Sequence, residues 1–120
     1  MISSLYRDTI LFHARHPQNY GRLENPTKTV NVANPLCGDR MIVDVALKNE
    51  TIERIGWEGE GCILSRAGMS LLSKEVVGKN KEDILVMDDD SLYSLFGIEV
   101  TPSREKCVSM SLDGLKQVLA

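Results

Sequence analysis

Residues 27–57, TKTVNVANPLCGDRMIVDVALKNETIERIGW, decide the fold. The stretch holds three candidate strands: Thr27 to Val32, β-branched and alternating, Met41 to Leu47, which alternates again, and Ile52 to Trp57. Two short turn sequences separate them. Asn34-Pro35-Leu36-Cys37-Gly38-Asp39 is rich in turn residues, and Lys48-Asn49-Glu50 is polar throughout. Alternation at a period of two marks half-buried strands, and connections this short join neighbours that run in opposite directions. The stretch predicts a three-stranded antiparallel sheet.

Outside it the apolar spacing turns helical. In residues 2–13, Ile2, Tyr6, Ile10 and His13 recur at helical intervals, as do Leu5 and Phe12, until Pro17, Asn19 and Gly21 end the pattern. Beyond the sheet, Gly59 and Gly61 read as breakers of the third strand. A helix follows from about Cys62 to Val77, with Leu64, Ala67, Leu71 and Leu72 on one face and Gly78 as its stop. Asn80 is placed to cap a second helix carrying Ile84, Leu85 and Met87. Asp88-Asp89-Asp90 and Ser91 form a polar break before a short apolar piece, Leu92 to Phe96. Thr101 can cap a last helix with Pro102 at its first position, and Val108, Leu112, Leu115 and Leu119 form its apolar stripe. Strands first and helices after imply an α+β fold: a small three-stranded antiparallel sheet covered by helices on one face.

The bulk numbers narrow the function. With 120 residues and no repeat or linker, residues 1–120 read as a single domain. One Trp, two Phe and three Tyr leave the core to aliphatic side chains. The net charge is −3 with no basic cluster, which argues against nucleic acid as a partner. No apolar run approaches the roughly 18 residues that span a membrane. Arg7 and Asp8 interrupt the N-terminal apolar stretch, so it lacks a signal-peptide layout, and the expected location is cytoplasmic.

Three cysteines carry the chemistry. An odd count speaks against a secreted disulfide framework and leaves thiols available for metal or sulfur chemistry. Cys37 lies in the turn, between Leu36 and Gly38, with Asp39 two residues on. Cys62 begins a helix, where unpaired backbone N–H groups favour a thiolate. Cys107 stands near the start of the last helix beside Arg104 and Lys106, whose positive charge does the same. No Cys-x-x-Cys pair occurs, which excludes a zinc ribbon or a thioredoxin-type motif. Cys37, Asp39, Cys62 and Cys107 make a four-ligand set that suits tetrahedral zinc. It also suits an iron–sulfide cluster, which normally takes four thiolates and is held less firmly by three.

The other polar residues read more plainly. His13 and His16 are helix-end residues of a partner surface rather than ligands. Asp88-Asp89-Asp90 lacks the Gly and distal Glu of a calcium loop and is a solvated turn. Met69, Met87 and Met110 fill the core, and Trp57 packs in the sheet. Arg66 is a surface charge. Lys106 reads either as a charge partner for Asp39 or Cys107 or as a side chain pointing to solvent.

The chain resembles the U-type scaffold family of iron–sulfur cluster assembly: IscU, SufU and the N-terminal domain of NifU. The resemblance rests on Ile10–Gly21 (ILFHARHPQNYG), on Asn34–Asp39, on the stretch Gly59 to Ala67 (GEGCILSRA) and on Arg104-Glu105-Lys106-Cys107, in that order along nearly the whole chain. It implies a small antiparallel sheet packed by helices. It implies Cys37, Cys62 and Cys107 as ligands of a transient [2Fe–2S] cluster or of zinc, with Asp39 as the fourth zinc ligand and the residue that keeps a cluster labile. It implies Cys107 as acceptor of persulfide sulfur from a cysteine desulfurase, and apo iron–sulfur proteins as recipients. Two departures bear on the subfamily. IscU-like members carry a His before the third Cys, where this chain has Lys106, and a Leu-Pro-Pro-Val-Lys chaperone segment, where it has Val100-Thr101-Pro102-Ser103-Arg104. Both argue against an Hsp70-type chaperone as partner and toward SufU, whose third-cysteine motif has the Arg and Lys of Arg104 and Lys106. SufU-like members also carry an insertion between the second and third cysteines for which this chain is short. Three functions therefore stand side by side: a cluster scaffold, a zinc-dependent sulfur acceptor, and a structural zinc module without sulfur chemistry.

Overall fold

The computed structural model describes residues 4–34, 38–96 and 105–120. The three candidate strands form β1 (Lys28–Asn34), β2 (Asp39–Lys48) and β3 (Thr51–Glu60), each longer than its apolar run. They form one sheet in the order β1-β2-β3 with both pairings antiparallel. Val43 lies between Val30 and Trp57, and Met41 between Val32 and Gly59, so alternate residues build one apolar face. Asn49 and Glu50 both take positive φ (52° and 68°), which makes the β2–β3 connection the two-residue hairpin turn that matches strand twist. A register shift at Ala46/Leu47 lets both Ile52 and Ile55 enter the core.

Gly59 does not break β3, as its sequence suggested. The strand passes through Gly56 and Gly59 and ends at Glu60. A Cβ at Gly59 would collide with the Arg40 carbonyl oxygen, and one at Gly56 with that of Gly21. These glycines serve close backbone approach.

Among the described residues, five helices follow the expected order: α1 (Ser4–Arg15), α2 (Ile63–Val76), α3 (Lys81–Leu85), α4 (Asp89–Phe96) and α5 (Glu105–Leu119). Asn80 caps α3 by accepting from the Glu82 N–H. The Val108, Leu112, Leu115 and Leu119 stripe of α5 is buried as read, and Trp57 is fully enclosed. The cap assigned to Thr101 and Pro102 lies outside the described residues. α2 packs against α1, α4, α5 and β3, so it buries Ser65, Ser70 and Ser73 besides Ala67, Met69 and Leu72. The opposite face of the sheet is crossed by residues 20–23. There Arg22 and the Leu23 N–H bind the buried Asp44 carboxylate.

Three side chains and the aspartate run depart from their sequence reading. His13 is no surface residue: it is buried, with Nδ1 2.7 Å from the Ser70 hydroxyl. Phe12 instead is exposed, its ring against that of His16. Arg66 is half-buried rather than a free surface charge; its guanidinium lies 6.0 Å from the Tyr20 ring centre and its Nε is buried without a hydrogen-bond partner. The aspartate run is the start of α4: Asp88 accepts from the Ser91 N–H at 2.9 Å, and Asp89 and Asp90 fill the first turn, where negative charge meets the helix dipole.

Candidate metal centre

Three elements deliver the site. Asp39 is the first residue of β2, Cys62 is the N-cap of α2, and Cys107 lies in the first turn of α5. One carboxylate oxygen and the two Sγ atoms lie within 4.8 Å of one another. Asp39 and Cys107 are buried, and Cys62 is half-buried. Neighbouring donors around a single tetrahedral zinc, at Zn–S of about 2.3 Å, sit roughly 3.8 Å apart, so the set fits one soft ion after a small adjustment.

Local structure explains the arrangement. Gly61 leaves β3 without a side chain; a Cβ there would sit 3.1 Å from the Asp39 carboxyl carbon. The carboxylate fills that space and accepts the Cys62 N–H at 3.1 Å, satisfying a donor at the start of α2. Cys62 caps the helix through sulfur, accepting from the Ser65 N–H at 3.5 Å. Ser65, fully buried, donates its hydroxyl toward the second Asp39 oxygen and lies 3.1 Å from the Cys107 carbonyl oxygen. Sequence reading missed Ser65, although a position three residues after a helix-capping cysteine faces the same side of the helix.

The structure thus brings together Asp39, Cys62 and Cys107. Cys37 and Arg104 fall outside the described residues. Lys106 is exposed, and its charge acts on Asp113, whose carboxyl is pushed up by burial and by Asp89 and drawn back by Lys106 and Lys116. His13 and His16 stand apart from the donor group.

Residues 5–120 match the family model described as NifU-like N terminal domain. The chain belongs to this family. The match takes in nearly all of the chain and agrees with the U-type resemblance of its cysteine motifs. The NifU-like domain is 32% identical to the zinc-dependent sulfurtransferase SufU of Bacillus subtilis, over 99% of this chain and 92% of that protein. It is 28% identical to the iron–sulfur cluster assembly scaffold protein IscU of Streptococcus pyogenes, over 98% of this chain and 84% of that protein. The first alignment takes 136 positions against 120 residues here, so the SufU relative carries residues that this NifU-like domain lacks. Among solved structures, a crystallised hypothetical protein superposes with a TM-score of 0.83 at 27% identity, covering 98% of both chains. The N-terminal part of a NifU-like protein from Brucella abortus superposes at 0.78 and 19% identity, over 95% of this chain and 91% of that one, a likeness of fold. None of the described helices is long and apolar enough to cross a membrane.

Proposed function

We propose that this chain is a scaffold of iron–sulfur cluster assembly: it accepts sulfur from a cysteine desulfurase and builds a labile [2Fe–2S] cluster for apo recipient proteins. The convergence of Asp39, Cys62 and Cys107 donors from three elements carries this reading. Family membership and the IscU relative support it. In this reading Cys37 joins the set, and Asp39, a harder and weaker partner for iron than a fourth thiolate, keeps the cargo releasable.

Sulfur acceptance assigns Cys107 the nucleophile's role. Its thiolate attacks the outer sulfur of the desulfurase persulfide. A new Sγ–S bond forms, the donor S–S bond breaks, and the desulfurase cysteine leaves as a thiolate that takes up a proton. Cys107 is only 5% exposed, so acceptance requires docking to open the start of α5. Arg104 and Lys106 flank it as positive charge that favours the thiolate.

A second reading, zinc-dependent sulfur transfer, is favoured by the single-ion spread of the donors and by the SufU relative. Asp39, Cys62, Cys107 and Cys37 would hold the zinc, which keeps bound thiols deprotonated at neutral pH. Metal analysis of the purified protein separates the two, repeated after anaerobic incubation with a cysteine desulfurase, cysteine and ferrous iron. Equal iron and sulfide that move to an apo-ferredoxin support the scaffold. Persistent zinc with a faster desulfurase and no cluster absorbance supports sulfur transfer. Cys107→Ser is expected to abolish desulfurase stimulation, and full stimulation by that variant would remove Cys107 from both readings.

A further inference from the structure

We propose that Ser65 is a positioning residue of the metal centre, acting through Asp39; the inference rests on the metal-binding reading above. Ser65 is the third residue of α2 and has no exposed surface. Its hydroxyl touches all three ligand-bearing elements. It approaches Asp39 Oδ2 from β2, the Cys107 carbonyl oxygen from α5 at 3.1 Å, and Cys62 Sγ on its own helix at 3.4 Å. A buried hydroxyl carries one proton and must donate it. Here the acceptors are the side chain of one candidate ligand and the backbone of another.

The arrangement fixes the carboxylate from both ends. Asp39 Oδ1 accepts the Cys62 N–H, and Oδ2 meets the Ser65 hydroxyl, so the plane of the carboxyl group is set by the first turn of α2. Gly61 presses from the remaining side: a Cβ there would lie 3.1 Å from Asp39 Oδ1 and 3.2 Å from Ser65 Cβ. Without the hydroxyl, Oδ2 loses its tether to α2 and the carboxylate is held less firmly in that plane. Partners that orient a ligand in this way govern metal affinity although they never touch the ion. The same hydroxyl, placed against the Cys107 carbonyl, also aligns the start of α5 with α2. One serine therefore sets the β2 and α5 ligands relative to the Cys62 thiol.

The test is a double-mutant cycle read by zinc affinity, with a competing chromophoric chelator and the full chain. Ser65→Ala is expected to weaken zinc about tenfold, and Ser65→Thr, which keeps the hydroxyl, to stay within about twofold. In an Asp39→Ala background Ser65→Ala is expected to weaken zinc clearly less than in the parent chain, because the route through the carboxylate is gone and only the contact with the Cys107 carbonyl remains. Cobalt gives a second readout. The thiolate-to-cobalt absorption persists in Ser65→Ala while the visible ligand-field bands move toward those of Asp39→Ala. Ala suits a helix interior, and far-UV circular dichroism checks the fold; if that variant does not fold, Ser65→Gly removes the same hydroxyl and enters the same cycle. An equal loss in both backgrounds, or none in either, overturns the positioning role while leaving the metal site standing. A parent chain that binds no zinc or cobalt overturns the metal reading and this inference with it.

Discussion

Asp44 is a carboxylate with no exposed surface, on the sheet face away from the helices. It accepts from Arg22 Nε at 2.6 Å, the Thr29 hydroxyl at 2.5 Å and the Leu23 N–H at 3.0 Å. Burial alone would raise its pKa; the hydrogen bonds from Arg22, Thr29 and Leu23 outweigh burial and hold it below the ordinary value of 3.8. His13 shifts down as well, from 6.5, through burial and the nearby Lys74 charge. Both shifts make stability fall in acid. As pH drops below about 6.5 the unfolded chain takes up the imidazole proton first, so the His13 contribution fades. The Asp44 contribution is complete above 3.8 and is lost as pH falls through the lower folded value. Urea unfolding between pH 8 and pH 3 is expected to show two declining legs, the first removed by His13→Gln and the second reduced by Asp44→Ala, with Asp88 supplying the rest. At neutral pH, Asp44→Ala is expected to cost about 2 kcal/mol, because the Thr29 hydroxyl and Leu23 N–H lose their acceptor. None of this was legible from the chain. The partners of Asp44 lie 15 to 22 residues away and Ser70 lies 57 residues from His13, so no local pattern announces them.

At the scale of elements, α5 comes so close to β1 that Gly114 has no room for a side chain: an added Cβ would stand 2.6 Å from Val32 Cγ2. Val32 is buried and β-branched in a strand, so it has little freedom to step aside. Ala in place of a helix-interior Gly would by itself gain up to about 1 kcal/mol. Overpacking costs about 1–3 kcal/mol. The clash wins, and Gly114→Ala is expected to lose about 1 kcal/mol. Val32→Ala in the same chain relieves it, so the double variant is more stable than the sum of the two single effects; strict additivity in denaturant unfolding would refute the contact. The strands and the stripe of α5 were readable because periods of 2 and 3.6 survive in the sequence. Cys62 as the opening of α2 was readable from the glycines before it. The in-strand Gly59 was not, since a glycine that breaks a strand and one that admits a neighbouring carbonyl look alike until the neighbour is placed. The buried serines of α2 were hidden for the same reason: polar residues on a helix signal solvent unless another element covers them.

At the scale of the molecule, the candidate ligands meet only after sheet and helices have stacked. Asp39 and Cys62 are 23 residues apart, and the Ser65–Cys107 contact spans 42. The core does not depend on that meeting. Trp57, Ile52, Leu72, Leu112 and Leu115 are fully buried around the centre of the sheet, joined in one apolar cluster without the thiols. A domain of this size with a continuous core folds without a staple. The chelated chain is therefore expected to remain folded by far-UV circular dichroism, in contrast to small modules that unfold when their zinc is removed. Zinc still binds the native state better than the unfolded one, so it adds stability by mass action: about 2.7 kcal/mol when free zinc is a hundredfold above its dissociation constant. Thermal unfolding with and without excess zinc is expected to show this gain in the parent chain, and a smaller one at the same zinc concentration in Asp39→Ala. A domain that melts on chelation would instead make the metal a structural cross-link, and the thiols could not be spared for sulfur transfer or cluster release. A stable apo fold leaves Cys107 able to leave the metal without unfolding the domain, which both sulfur acceptance and cargo release demand.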